Sequence, residues 1–126
     1  MRKKGFAILL AIFYTLGLLA LCLIKLGPIT EHAPSNSDKI FHFLAYCLLM
    51  LVWYLAFTKS FNWSFKKALI NASVFSISFG LLVEILQGTF TATRHFDMLD
   101  VLANTSGVFL TLLVLVFKQK TNYKKI

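Results

Sequence analysis

The chain is predicted to be an all-α membrane protein, a bundle of four transmembrane helices with both termini in the cytoplasm. Three observations carry that expectation. First, apolar residues make up 58% of the 126 and charged residues only 14%, with a mean hydropathy of +0.74; a soluble domain runs near one-quarter charged and at most about half apolar. Second, the uncharged residues gather into four runs, each long enough as a helix to approach the thickness of a hydrocarbon core, about 30 Å. Third, the charges are sorted by sign across those runs. All five carboxylates and all three histidines fall on one side, and ten of the thirteen Lys and Arg fall on the other. Four spans use up most of the chain, so residues 1–126 are expected to form a single domain.

The first run covers residues 5–24 and follows Arg2, Lys3 and Lys4. A basic start before an apolar run also describes a signal peptide. This run stays apolar through Leu23 and Ile24, and Leu21 is too large for the position before a lipoprotein cysteine at Cys22. A retained helix is the expectation. Residues 27–36 hold both prolines, Pro28 and Pro34, and read as an irregular connection.

The second run, 40–57, opens on Asp38 and Lys39, with Ser37 or Asn36 as its cap. Lys59, Lys66 and Lys67 separate it from the third, 68–87. A Thr-rich connection carrying Arg94 and His95 leads to the fourth, 101–117, where Asp97 and Asp100 have the spacing of an N-cap and an acid at N3. No alternation of period two supports a β-barrel.

Cations flanking short loops mark the cytoplasmic side. The amino terminus, the loop after the second run and the carboxyl tail hold ten; Lys25, Lys39 and Arg94 hold the other face. Trp53, Tyr54, Trp63 and Tyr123 are then expected near the cytoplasmic ends, where amphipathic aromatics sit well. The net charge of +8 is explained by these flanks and by anionic lipid headgroups. No base-reading or phosphate-tracking motif accompanies it, so nucleic acid is not an expected partner. Cys22 and Cys47 lie inside apolar runs and form no Cys-x-x-Cys pair.

The polar residues that interrupt the apolar runs gather at the outer ends. Asp38, His42 and Tyr46 lie four apart along one helix face, so Asp38 could hold a ring nitrogen of His42. The bland alternative is that Asp38 only favours the positive end of its helix. Glu84 follows sixteen uncharged residues, with Gln87 one turn on and Ser76 and Gly80 as small residues on a related face. A carboxylate near the middle of a membrane helix costs about 2.5–3.5 kcal/mol on insertion scales, so Glu84 should face the bundle and have a partner. Asp100 and Asn104 share a face, and Gly107 could permit close packing beside them.

His42, Glu84 and Asp100 are the candidates for proton transfer. Asp38, Lys39, Tyr46, Gln87, Arg94, Asp97 and Asn104 are the candidate ligand-binding residues. No His-x-x-x-His spacing argues for a metal, although His42, Glu84 and Asp100 could meet in space; the cofactor stays unknown.

This pattern resembles the VanZ-like family of small membrane proteins. The resemblance rests on Asp38-Lys39-x-x-His42 with Tyr46, on Gly80-x-x-x-Glu84-x-x-Gln87, and on Arg94, Asp97, Asp100, Asn104 and Gly107. It spans about Asp38 to Gly107, and the first run matches only as an apolar helix. The resemblance implies a multi-pass protein of the bacterial cytoplasmic membrane connected with the cell envelope, in a family named after a protein associated with resistance to teicoplanin. It implies neither a settled reaction nor that this chain confers resistance.

The leading functional expectation is an outer-face site that binds or processes an anionic lipid headgroup or a cell-wall precursor. Lys39 and Arg94 would hold negative charge, and His42 and Glu84 would exchange protons. No Ser-nucleophile motif, Walker loop or metalloprotease motif decides for an enzyme. The alternative is a non-catalytic membrane module whose polar cluster locks the helices and which binds lipids or protein partners. An ion pathway is the weakest reading, because the polar groups cluster at one end. A chain of this size would have to oligomerise to form one, and homo-oligomerisation is left open.

Overall fold

The computed structural model describes residues 2–23, 37–90 and 98–125, with side chains placed over 5–21, 39–86 and 98–121. Apart from the connection at 61–64, the described residues are helical. Helix α1 is Arg2–Leu23, α2 is Ser37–Leu55, α3 is Phe65–Phe90 and α4 is Met98–Lys125. A π-helical turn, Ala56–Ser60, extends α2.

Three stretches are long and apolar enough to cross a membrane: Lys39–Ser60, Phe65–Leu86 and Met98–Thr121. The described apolar part of α1, Gly5–Leu21, is shorter, about 25 Å at 1.5 Å per residue. The expected runs 40–57, 68–87 and 101–117 therefore sit inside longer helices. Helix α4 continues well past the apolar run because its basic tail contains good helix formers and no Gly or Pro to stop it.

What separates this bundle from a soluble one is its inverted polarity. Phe6, Phe13, Leu48, Val74, Phe109 and Phe117 are all exposed on its outside, while His42, Ser76, Glu84, Asp100 and Asn104 are buried within. Water would penalise so large an apolar surface, whereas lipid does not. The interior also lacks the usual surplus of large aliphatic side chains. Tyr46, Leu49, Met50, Leu69, Val83 and Val108 form its centre, with alanines at many of the remaining contacts.

The most extensive helix interface joins α2 to α4, and Gly107 is its closest approach. A Cβ at Gly107 would run into the carbonyl oxygen of Phe43, with the Cys47 nitrogen 3.1 Å away. The two backbones can therefore touch only because the side chain is absent. Polar clasps flank the contact: Cys47 Sγ donates to Gly107 O at 3.3 Å, and Thr111 Oγ1 donates to Cys47 O at 3.1 Å.

The connection from α2 to α3 has a local cause for each step. Thr58 Oγ1 donates to the carbonyls of Tyr54 and Leu55, at 3.0 and 3.2 Å. Such back-bonding competes with the helical ladder, and the ladder widens there into the π-helical turn. Asn62 adopts a left-handed conformation, φ 58°, which Asn tolerates better than most residues and which reverses the chain. Ser64 then caps α3, accepting from the Lys67 N–H at 3.3 Å.

Helix α1 packs against this turn and against α2. The Ile8 N–H donates to Ser60 Oγ at 3.0 Å, and Trp53 Nε1 donates to Thr15 Oγ1 at 2.8 Å. Trp53 is thus a helix-to-helix anchor, packed on Phe75 with ring centroids 4.6 Å apart, in addition to lying toward the expected cytoplasmic end. Trp53→Phe keeps the stacking and removes the donor. It should lower stability by about 0.5–1.5 kcal/mol in micelle unfolding, and an unchanged midpoint would assign Trp53 to packing alone.

Candidate functional site

Three helices each deliver one polar face to the same end of the bundle. Helix α2 contributes Lys39, His42 and Tyr46, α3 contributes Ser76, Gly80 and Glu84, and α4 contributes Asp100 and Asn104. On each helix the members recur every three or four residues, so they stack turn over turn on a single face.

At the outer rim, Lys39 Nζ lies 3.4 Å from Asp100 Oδ1. The lysine side chain is about one-third exposed and that of the aspartate nearly enclosed. One layer deeper, His42 is buried, and its Nδ1 lies 2.9 Å from Asn104 Oδ1. The same ring presents Nε2 to Asp100 Oδ2 at 3.8 Å, beyond hydrogen-bonding distance. Asp100 therefore faces two different bases with its two oxygens, one base open to solvent and the other enclosed.

Below this layer, Tyr46 stacks beneath His42 with centroids 6.4 Å apart, and Phe79 tilts against the Tyr46 ring. Gly80 makes this packing possible. A Cβ there would stand 3.0 Å from Tyr46 Cε2 and 3.1 Å from Asn104 Nδ2. Glu84, one turn outward on α3, is fully buried, as is Ser76, one turn inward. Neither Ser76 Oγ nor Asn104 Nδ2 has a hydrogen-bond partner among the described residues.

The Asn104 amide has no slack against Gly80. Gly80→Ala should push it off the His42 ring and lower stability by about 1–3 kcal/mol, read from the unfolding midpoint. A neutral result would mean that the amide relaxes freely and does not fix the ring.

Of the expected site residues, Lys39, His42, Tyr46, Glu84, Asp100 and Asn104 come to one end of the bundle. Arg94 and Asp97 lie outside the described residues, as do the side chains of Asp38 and Gln87. The expected Asp38–His42 contact falls there too. The hydrogen-bonding and ionic partners of His42 among the described side chains come from α4, some sixty positions along the chain. Among the described residues no group of three His, Cys, Asp or Glu side chains has the geometry to hold a metal ion.

The sequence reading passed over Phe79 and Thr111. Thr111 was findable, because it lies four residues beyond Gly107 and seven beyond Asn104, on the face that meets α2. Nothing in local spacing would have singled out Phe79 from the other phenylalanines.

The arrangement is a carboxylate held between an accessible ammonium and an enclosed imidazole, with an amide fixing the ring from the far side. Chemically it offers an ammonium at the rim, with a carboxylate, an imidazole and an amide behind it as hydrogen-bonding groups.

The VanZ/LLP1 family model matches residues 6–119, which takes in all four helices and every described site residue. The chain belongs to the VanZ/LLP1 family. The match reaches into α1, further than the motifs from Asp38 to Gly107 suggested. An uncharacterized protein of the fission yeast Schizosaccharomyces pombe is 34% identical over 90 residues, which are 71% of this VanZ/LLP1 chain and 53% of the yeast protein. The chain thus spans about half the length of that relative. No solved structure matches.

Proposed function

We propose that this VanZ/LLP1 protein is a multi-pass membrane protein whose outer polar site binds or processes an anionic lipid headgroup or a lipid-linked cell-wall precursor. The observation that carries the reading is the Lys39–Asp100–His42–Asn104 arrangement at one end of a bundle with an apolar exterior. A cation open to the outside stands in front of an acid–base pair that is not, and a headgroup at the membrane surface would meet them in that order.

In this reading all four helices cross the bilayer of a bacterial cytoplasmic membrane with both termini inside. The basic amino terminus, the α2–α3 loop and the carboxyl tail support that orientation. Helix α1 crosses with help from residues beyond its described apolar part. Arg94 joins Lys39 in holding the anion. A site of this kind in a cell envelope would be where a link to teicoplanin resistance arises. The yeast relative favours a ligand chemistry available outside bacteria, which points to a phosphate-bearing lipid before a cell-wall peptide.

Mass spectrometry of co-purified lipid tests this. Wild-type protein should retain a specific anionic lipid or precursor, and folded Arg94→Ala and Glu84→Gln variants should retain at least about tenfold less, the loss of one charge-assisted contact. Equal bulk lipid in all three would sink the proposal.

A second reading has its own support. His42, Glu84 and Asn104 are almost completely enclosed, as residues that only lock helices would be. Lipid retention read in variants that still fold separates the two, since residues that only lock helices lower the unfolding midpoint without changing the lipid retained, whereas ligand residues lower the retention.

A further inference from the structure

Helices α1 and α2 enclose between them a groove of about 370 Å³. It follows α1 from Tyr14 to Leu21, about 10 Å at 1.5 Å per residue. Its floor is Leu18 and Ala45, both buried, and its walls are Leu21, Phe41, Leu44 and Leu48, each close to half exposed. Of the lining side chains only Tyr14 carries a polar atom, and that hydroxyl donates to the Ala45 carbonyl. The α2 positions of the groove recur every three or four residues on the side turned away from His42 and Tyr46. The groove and the polar site therefore lie at the same end of the bundle but on different faces of one helix.

Gly17 keeps the groove open. A Cβ there meets nothing within 4 Å, whereas at Gly80 and Gly107 the missing side chain lets neighbouring groups touch. A glycine inside a helix costs helix stability, and no contact within the described chain requires one at this position. What it makes room for lies outside that chain.

Two apolar occupants could reach such a slot in a bilayer, a second helix or a hydrocarbon chain. Membrane helices approach closely where small residues recur at every fourth position. The residues four before and four after Gly17 are Phe13 and Leu21, both large and exposed, and they hold another helix off. A slot one glycine wide between bulky walls admits a thin, flexible apolar rod. Its mouth opens among Phe41, Leu44 and Leu48, exposed side chains that belong to the apolar exterior. In a membrane the medium at that mouth is acyl chain.

We propose that the α1–α2 groove is a binding site for one hydrocarbon chain of a membrane lipid. Because lipid tails surround the protein, the preference for the groove comes from dispersion contacts with its floor and walls. The site is separate from the headgroup site at Lys39 and does not depend on it.

The test uses the full chain in maltoside micelles with a phosphatidylcholine that carries a photoactivatable diazirine in one acyl chain. Intact-mass spectra count the lipid retained, and peptide mapping after irradiation locates it. The expected result is a single probe lipid per chain, with adducts concentrated in residues 14–21 and 41–48. Gly17→Leu fills the slot from one helix and Leu44→Trp from the other. Each should lower retention at least about fivefold without lowering the unfolding midpoint. Val74→Leu adds volume at an exposed position on α3 and should retain the probe as the wild type does.

Absence of retained probe overturns the proposal, as do adducts spread evenly over exposed positions such as Val74 and Phe109. Retention that both groove-filling variants leave unchanged overturns it too. So does a wild-type dimer that Gly17→Leu converts to monomer, which would give the groove to a second copy of the chain. The probe has no net charge, so Arg94→Ala and Glu84→Gln should retain it fully, and failure of either reading leaves the other standing. Adducts mapped on the wild-type protein decide the matter even if the groove-filling variants do not fold.

Discussion

Gly107→Leu is expected to prevent assembly of the bundle, and Gly107→Ala to destabilise it by about 1–3 kcal/mol, the usual range for forcing atoms into a packed interior. The obstacle is backbone. The Phe43 carbonyl and the Cys47 nitrogen belong to the middle of α2, and neither can rotate aside as a side chain could. Helices α2 and α4 would have to separate along their whole shared face, stretching the Cys47–Gly107 and Thr111–Cys47 clasps on either side. In lipid no hydrophobic force offsets that separation, because association of membrane helices rests on close packing and interhelical hydrogen bonds.

Gly17→Ala is the control. A Cβ there meets nothing within 4 Å, so the substitution should be neutral or slightly stabilising through helix propensity. Mixed-micelle unfolding of the two variants side by side reads the difference. Equal midpoints would show that α2 and α4 are not in contact at Gly107.

That same glycine marks the boundary of what a sequence can reveal about such a bundle. Its smallness was legible, and so was its register with Asn104; what it packs against was not, because Phe43 lies more than sixty residues away. The helices themselves were plain from uninterrupted apolar runs. Their ends were less so, because Ser64 and Thr58 act by hydrogen bonds that composition does not announce, and a basic tail looks like loop until its helix propensity is weighed. His42 was recognised as a buried polar residue, with Asp38, four residues back and its side chain outside the described residues, as its expected partner. Local spacing can propose only neighbours on the same helix, whereas the described partners, Asp100 and Asn104, come from across the bundle. The division of α2's polar residues into an exposed rim at Lys39 and an enclosed layer at His42 likewise depends on helix packing that no single helix encodes.

That division leads to the second large effect, expected at Asn104. Asn104→Leu conserves volume approximately but leaves the buried Nδ1 of His42 without its amide partner. An orphaned donor costs about 1–3 kcal/mol in a water-referenced interior. Interhelical hydrogen bonds measured in bilayers are weaker, averaging about 0.6 and reaching about 1.7 kcal/mol. The enclosed geometry at Asn104 places the expected loss toward the upper end of the membrane range, about 1–2 kcal/mol. Replacing both partners removes the stranded donor, so His42→Phe combined with Asn104→Leu should recover to within about 0.5 kcal/mol of wild type. The double variant is informative because it keeps the rim intact while deleting the layer behind it. If the site works as proposed, the double variant is stable, still presents Lys39 and Asp100, and binds phosphatidylglycerol weakly. If it is stable and retains lipid like the wild type, the enclosed layer only locks the helices and the ligand is held wholly by the rim. If it fails to recover stability, the other contacts of His42 and Asn104 carry more of the packing than their 2.9 Å contact does.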